Sequence, residues 1–290
     1  VELLRALGAL AEGTGPEQQT IAKALGLGRL DPADYTELFE FALYPYASVY
    51  LGTEGMLGGE ARDRIAGFWR AIGAEPPEEP DHLATMLAFY ARLRESAVEE
   101  KDITRRVAIE RARAAFYWEH LASWLPIYLE KARTLATGPY AEWALMLQSA
   151  LESEAAALPQ PPALALHLRE APDFNEGDPS ESLVAALLAP VRTGFILLRS
   201  DLRTIAESMG ATLRQGERRY ALDALLAQDR VAVLDGLRAH AERCADAYTA
   251  LPDEWRDIRN EWRRRAASTA AVFASLATSS EQTANDPAST

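Results

Sequence analysis

Apolar residues recur along nearly the whole chain at intervals of three and four, and that period confines it to helices. Leu83, Met86, Leu87 and Tyr90 stand at i, i+3, i+4 and i+7. Leu121, Trp124, Leu125, Tyr128 and Leu129 repeat the pattern, as do Ile65, Phe68, Trp69 and Ile72. No stretch alternates in the manner of a half-buried strand, and no long-period repeat is visible. With 290 residues, 48% of them hydrophobic, the chain has enough apolar surface for one large or two modest cores. The expectation is an all-α protein: a helical bundle domain followed by a second, smaller helical segment.

Punctuation refines this reading. Asp31-Pro32-Ala33-Asp34 marks a helix start, as does Glu78-Glu79-Pro80-Asp81, where Pro80 suits the first helical position. Between them, the proline, aromatic and β-branched residues of 44–52 break helical phase and predict an irregular or extended turn. Pro126 is expected to kink the helix it sits in, and a helix is expected over 193–209. Five prolines in 158–180 mark a domain boundary. The resulting division is a first domain over 1–157, a linker over 158–180, a helical segment over 181–276 and a small, polar, disordered tail over 277–290.

Several functions are disfavoured at once. Forty-three acids against 30 bases give a net charge of −13, which opposes binding to nucleic acid or to anionic membrane. Cys244 is the only cysteine, so no internal disulfide or thiolate zinc site can form, and no cofactor or metal is called for. The four histidines fall in no metal-binding motif, and glycine-rich nucleotide signatures are absent. Leu183 to Val191, the longest charge-free apolar run, is too short to cross a bilayer, and no secretory signal precedes it. A cytoplasmic setting is the expectation.

Two local features point to binding. The stretch 30–61 carries Asp31, Asp34, Glu37, Glu40, Glu54 and Glu60 with no lysine or arginine, interleaved with Tyr35, Phe39, Phe41, Tyr44, Tyr46 and Tyr50. Acids among aromatics suit a partner that is both arginine-bearing and apolar, because guanidinium groups pair with carboxylates and stack on rings. A helix with a solvated acidic face over an aromatic core accounts for it equally well. His82, between Asp81 and an apolar helix, gains nothing from the helix dipole if protonated, which marks it as a recognition group. Asp81 and His82 are adjacent on a helix, about 100° apart, and do not orient each other as a catalytic dyad would.

The residues Glu78-x-Pro80-Asp81-His82-Leu83 resemble the E-x-P-D-H-L signature of the TorD/DmsD/NarJ family of molybdoenzyme-maturation chaperones. Tyr44-Pro45-Tyr46-x-Ser48-Val49-Tyr50-Leu51 is similar to that family's upstream aromatic segment, and His120-Leu121-x-x-Trp124-Leu125-Pro126 to its downstream helix; the likeness runs from about 35 to 151. The resemblance implies a non-catalytic, all-helical chaperone, monomeric or homodimeric, whose partners are a molybdopterin oxidoreductase catalytic subunit and its twin-arginine signal peptide. It would hold the apo subunit until cofactor insertion, with no nucleic acid partner and no stable membrane insertion. Asp81 and His82 then form the recognition pair. The full client-binding set is Asp81, His82, Glu78, Pro80, Tyr44, Tyr46, Tyr50, Phe41 and Trp69. Ala47 departs from members that carry an acid there. Two alternatives stand beside this reading: a helical DNA-binding regulator built on 192–220, where six arginines meet three acids around a helix-turn-helix-like run at 201–212, and a hydrolase using Asp81 and His82.

Overall fold

The computed structural model describes residues 2–175 and 182–285, with side chains described as far as 278. Among the described residues every regular element is helical, and the one β-type pairing is an isolated antiparallel bridge between Tyr46 and His82. The all-α expectation holds.

The chain divides into two units. Unit 1 comprises Val1–Gly52, Met56–Glu170 and Pro252–Ile258. Its helices are α1 (Glu2–Ala9), α2 (Pro16–Ala24), α3 (Pro32–Tyr35), α4 (Ala47–Leu51), α5 (Gly59–Ala71), α6 (Leu83–Glu99), α7 (Ile103–Phe116), α8 (Leu125–Leu135), α9 (Gly138–Ala157) and α10 (Leu166–Glu170). Helix α6 is the central one. It buries Leu83, Met86, Leu87, Phe89, Tyr90 and Leu93, more than one face of a surface helix, because α1 and α7 both pack on it. Gly8 lets α1 come close: a Cβ there would stand 3.1 Å from the Ala84 backbone.

Two π-helical turns interrupt this unit. Thr36–Ala42 extends α3, and Tyr117–Leu121 follows α7. Each adds a residue to a turn and shifts the side chains that follow around the axis. Phe39 is buried against Tyr140 and Trp143, while Phe41, two positions on and so on the opposite helical face, is 71% exposed.

Three sequence expectations change here. Residues 47–51 are helical (α4), because Asp81 satisfies the first amides of that turn from across the chain. Pro126 kinks nothing: the helix ends ahead of it, and Pro126 takes an early position of α8, where its missing N–H is harmless. Pro80 is not the first helical residue of α6; His82 is the N-cap and Leu83 the first residue, so Pro80 lies in the preceding turn and is buried. Asp31 caps α3 as the sequence indicated, accepting from the Ala33 N–H at 2.8 Å.

Within 158–175 of the proline-rich stretch, Leu158, Ala165, His167, Leu168 and Phe174 are all buried and α10 forms; residues 176–181 of the expected linker lie outside the described residues.

Unit 2 comprises Thr53–Gly55, Ala171–Leu251 and Arg259–Thr290. Its helices are α11 (Leu183–Leu187), α12 (Pro190–Thr193), α13 (Arg199–Ser208), α14 (Arg218–Gln228), α15 (Arg230–Ala247) and most of α16 (Arg256–Asn285). Phe195, Leu202, Leu222, Leu234, Leu237 and Phe273 form its core. The helix expected over 193–209 is broken by Gly194, whose φ of +81° ends α12 and whose bare Cα fits against α16: a Cβ would stand 2.2 Å from the Ala266 nitrogen. Arg265, buried on α16, pairs with Glu261 and donates to the carbonyls of Ala171 and Val191. Helix α16 runs on to Asn285, through part of the expected tail; residues 286–290 of that tail lie outside the described residues.

Candidate functional site

The start of α6 meets the start of α4 through a pair of backbone hydrogen bonds. The Leu83 N–H donates to the Pro45 carbonyl at 2.7 Å, and the Ala47 N–H donates to the Asp81 carbonyl at 2.9 Å. The Asp81 carboxylate adds a third, accepting from the Ser48 N–H at 3.3 Å. Asp81 thus serves the opening amides of α4 with both its backbone and its side chain. It is 2% exposed and His82 8%. Ser48 continues the arrangement, its Oγ accepting from the Gly58 N–H at 3.1 Å.

His82 caps α6 by accepting the Ala84 N–H at its Nδ1, 3.2 Å away. An accepting Nδ1 assigns the neutral ring with its proton on Nε2. Burial favours the same state: desolvation pushes the imidazole below its ordinary value, against the opposing pull of Glu79 and Asp81. The ring meets Tyr46 edge to face, centroids 4.8 Å apart. Burial, a hydrogen bond to Glu79 and that carboxylate's charge push the Tyr46 phenol up to about 12, so it remains a neutral donor.

The other expected client-binding residues distribute unevenly. Glu78 is exposed, its carbonyl held by Arg62 of α5 at 2.8 Å. Tyr44 is 43% exposed, and its carbonyl accepts the Tyr50 hydroxyl at 2.8 Å. Tyr50 itself is buried, stacked on Trp124 and edge-on to Tyr128. Trp69 stacks on Phe89 at 3.8 Å between α5 and α6. The structure therefore brings Tyr46, Asp81 and His82 into one node, places Phe41, Tyr44 and Glu78 on the surface, and commits Pro80, Tyr50 and Trp69 mainly to packing. Two groups escaped the sequence reading. Ser48 had no signal beyond its place in the aromatic segment, and Glu79, exposed and bonded to Tyr46, was signalled only by its neighbour Glu78.

A family model described as "Nitrate reductase delta subunit" matches residues 7–130, a span that contains all three motif segments. "Chaperone protein TorD" of Vibrio vulnificus strain YJ016 is 34% identical over 110 residues, covering 34% of this chain and 50% of that protein. Over residues 7–130 the chain resembles the TorD/DmsD/NarJ family. Other TorD proteins agree: that of Photobacterium profundum is 29% identical over 109 residues (35% and 50% covered), and that of Shewanella pealeana 30% over 123 residues (37% and 51% covered). The chain spans about half the length of the curated relatives it matches. No solved structure matches it. The family match starts earlier than the motif likeness and stops inside α8, so α9, α10 and all of unit 2 after residue 170 lie beyond it.

Among the described residues no group of three or more His, Cys, Asp or Glu side chains is placed to hold a metal ion, and no helix is long and apolar enough to cross a membrane. In the arginine-rich run of the DNA-binding alternative, Arg203, Arg214 and Arg219 are exposed, while Arg199 donates to the carbonyls of Arg214 and Gly216, and Arg218 to that of Leu197. Guanidinium groups so engaged are poorly placed to follow a phosphate backbone.

Proposed function

We propose that this protein is a molybdoenzyme-maturation chaperone that binds the twin-arginine leader of a molybdopterin oxidoreductase subunit, and its apo body, until cofactor insertion is complete. The observation that carries the reading is the clamp between α4 and α6, beside an acidic surface with exposed aromatic groups. Asp81 and His82, both buried and hydrogen-bonded to backbone amides, act as positioning residues. The contacting groups are Glu78, Glu79, Tyr44 and Phe41, with the exposed acids Glu37 and Glu40 steering the approach. A leader with paired arginines followed by an apolar run complements this surface twice, by charge pairing and by ring contact. Coulombic steering sets the rate of encounter, and apolar burial supplies most of the affinity.

Calorimetry with a twin-arginine leader peptide and its twin-glutamine counterpart tests the reading. The arginine peptide should bind more tightly, and its affinity should fall with salt. Glu78→Gln with Glu79→Gln should weaken binding and flatten that salt dependence; Phe41→Ser should weaken binding and leave the salt dependence unchanged. Equal affinity for the two peptides would overturn the site assignment.

A further inference from the structure

Unit 1 contains a cleft of about 740 Å³ between α7 and the proline-rich chain that follows α9. None of the residues of the Asp81–His82 clamp lines it. Val107 and Ala114, at i and i+7 on one face of α7, and Trp118 of the π turn that follows form one wall. Leu158, Pro161 and Leu164 form the other. The Trp118 indole N–H is already bonded to the Pro159 carbonyl at 2.9 Å, which leaves that wall apolar. Val107 stands 44% exposed.

Arginines flank this apolar strip. Arg106 and Arg111 fall on either side of Val107 on the helical wheel, both exposed, and among the described residues neither has an ionic or hydrogen-bonding side-chain partner. The acids of the cleft are occupied: Glu110 pairs with Arg113 at 2.9 Å, and the Glu119 carboxylate accepts the Leu166 N–H at 2.6 Å. Four arginines, Arg106, Arg111, Arg113 and Arg169, against two acids, Glu110 and Glu119, line the cleft, the reverse of the balance in a chain carrying −13.

We propose that this cleft is a second polypeptide-binding site, which takes an apolar segment flanked by carboxylates. The charge complementarity is opposite in sign to that of the leader surface, so the two sites take different segments. The two cations lie five positions apart on α7, roughly 7.5 Å along its axis, with Val107 between them. That spacing matches carboxylates distributed along a chain on both sides of an apolar side chain better than one compact anion. The proposal does not depend on the leader assignment.

The test titrates the full chain calorimetrically with three peptides: a short leucine-phenylalanine run flanked by glutamates, the same run flanked by glutamines, and the twin-arginine leader. The glutamate peptide should bind best, and Arg106→Glu with Arg111→Glu should weaken it about tenfold, the effect expected of two reversed surface ion pairs. Val107→Asp should weaken it as well, and Arg106→Lys with Arg111→Lys should restore most of the affinity. The leader peptide should bind all these variants as it binds the parent chain. Equal binding of the glutamine peptide, or an unchanged glutamate affinity in the charge-reversed variant, would overturn the proposal. So would competition by a nucleoside diphosphate that binds where the peptide does not, or self-association of the parent chain that the charge reversal abolishes; these would assign the cleft to a small anion or to a second copy.

Discussion

Replacing Asp81 by alanine separates a positioning role from a contacting one. The carboxylate accepts the Ser48 N–H at 3.3 Å in surroundings where Asp81 is 2% exposed. Its removal leaves that amide buried with no acceptor, which costs about 1–3 kcal/mol. The long hydrogen bond favours the lower half of this range, so about 1.5 kcal/mol is expected. The carbonyl of residue 81 still accepts from Ala47, so α4 should loosen without detaching. Asp81→Asn keeps an acceptor oxygen and should recover at least half of the loss. Urea unfolding followed by tryptophan fluorescence gives the stabilities, and amide exchange at Ser48 reports the local opening directly. Leader affinity should follow the same order, parent above Asn above Ala. An asparagine variant as destabilised as the alanine variant would refute the argument, as would a leader affinity lost in Asp81→Asn with its stability intact, which would make the negative charge itself the contact.

Burial depresses His120 to about 3 and His167 to about 4, and their rings face each other with nitrogens 3.2 Å apart. Because both titrate below the ordinary 6.5, the unfolded chain takes up protons first; stability should be full above pH ~6.5 and fall on acidification toward pH 4, by up to about 1.4 kcal/mol per pH unit for each ring. Urea titrations at a series of pH values check this, and His167→Gln should reduce the slope. Glu154 holds Arg94, Arg113 and the Tyr90 hydroxyl together inside unit 1; because Arg113 keeps Glu110 as an ionic partner, Glu154→Ala should cost about 1–2 kcal/mol and Tyr90→Phe about 1 kcal/mol, both measurable by denaturant unfolding. Gly194→Ala combines a left-handed backbone angle with a Cβ 2.2 Å from the Ala266 nitrogen; a loss of more than about 2 kcal/mol is expected, seen as melting of unit 2 at lower temperature.

The fold class was legible because apolar period survives in single residues: Leu83, Met86, Leu87 and Tyr90 are all buried on α6. Asp31-Pro32 was legible as a cap because its partner, the Ala33 amide, is two residues away. What failed was non-local or out of phase. The helix at 47–51 depends on a carboxylate 33 residues onward, and no window of local sequence contains both. The acidic aromatic stretch read equally well as a binding surface and as a solvated acidic face over an aromatic core, and the structure divides it: Phe39 is buried and Phe41 exposed, and Tyr50 joins the core with Trp124. Asp81 and His82 carried a strong motif, but the motif named positions and not burial. Its acid faces inward to backbone amides, and the groups left on the surface are the less conspicuous Glu78, Glu79 and Tyr44.

The clamp between α4 and α6 also has a consequence for the order of events during synthesis. The internal hydrogen bonds of α5 and α6 join residues four apart, whereas the Ser48–Asp81 bond must close a loop of 33 residues before it contributes anything. The loop can close only once Asp81 is available, and α6 is held in place only when α1 and α7 pack on it. A partly made or partly folded chain therefore carries the acids and the rings of the proposed client surface but not their arrangement, so that on the proposed function competence to receive a client waits on closure of the clamp.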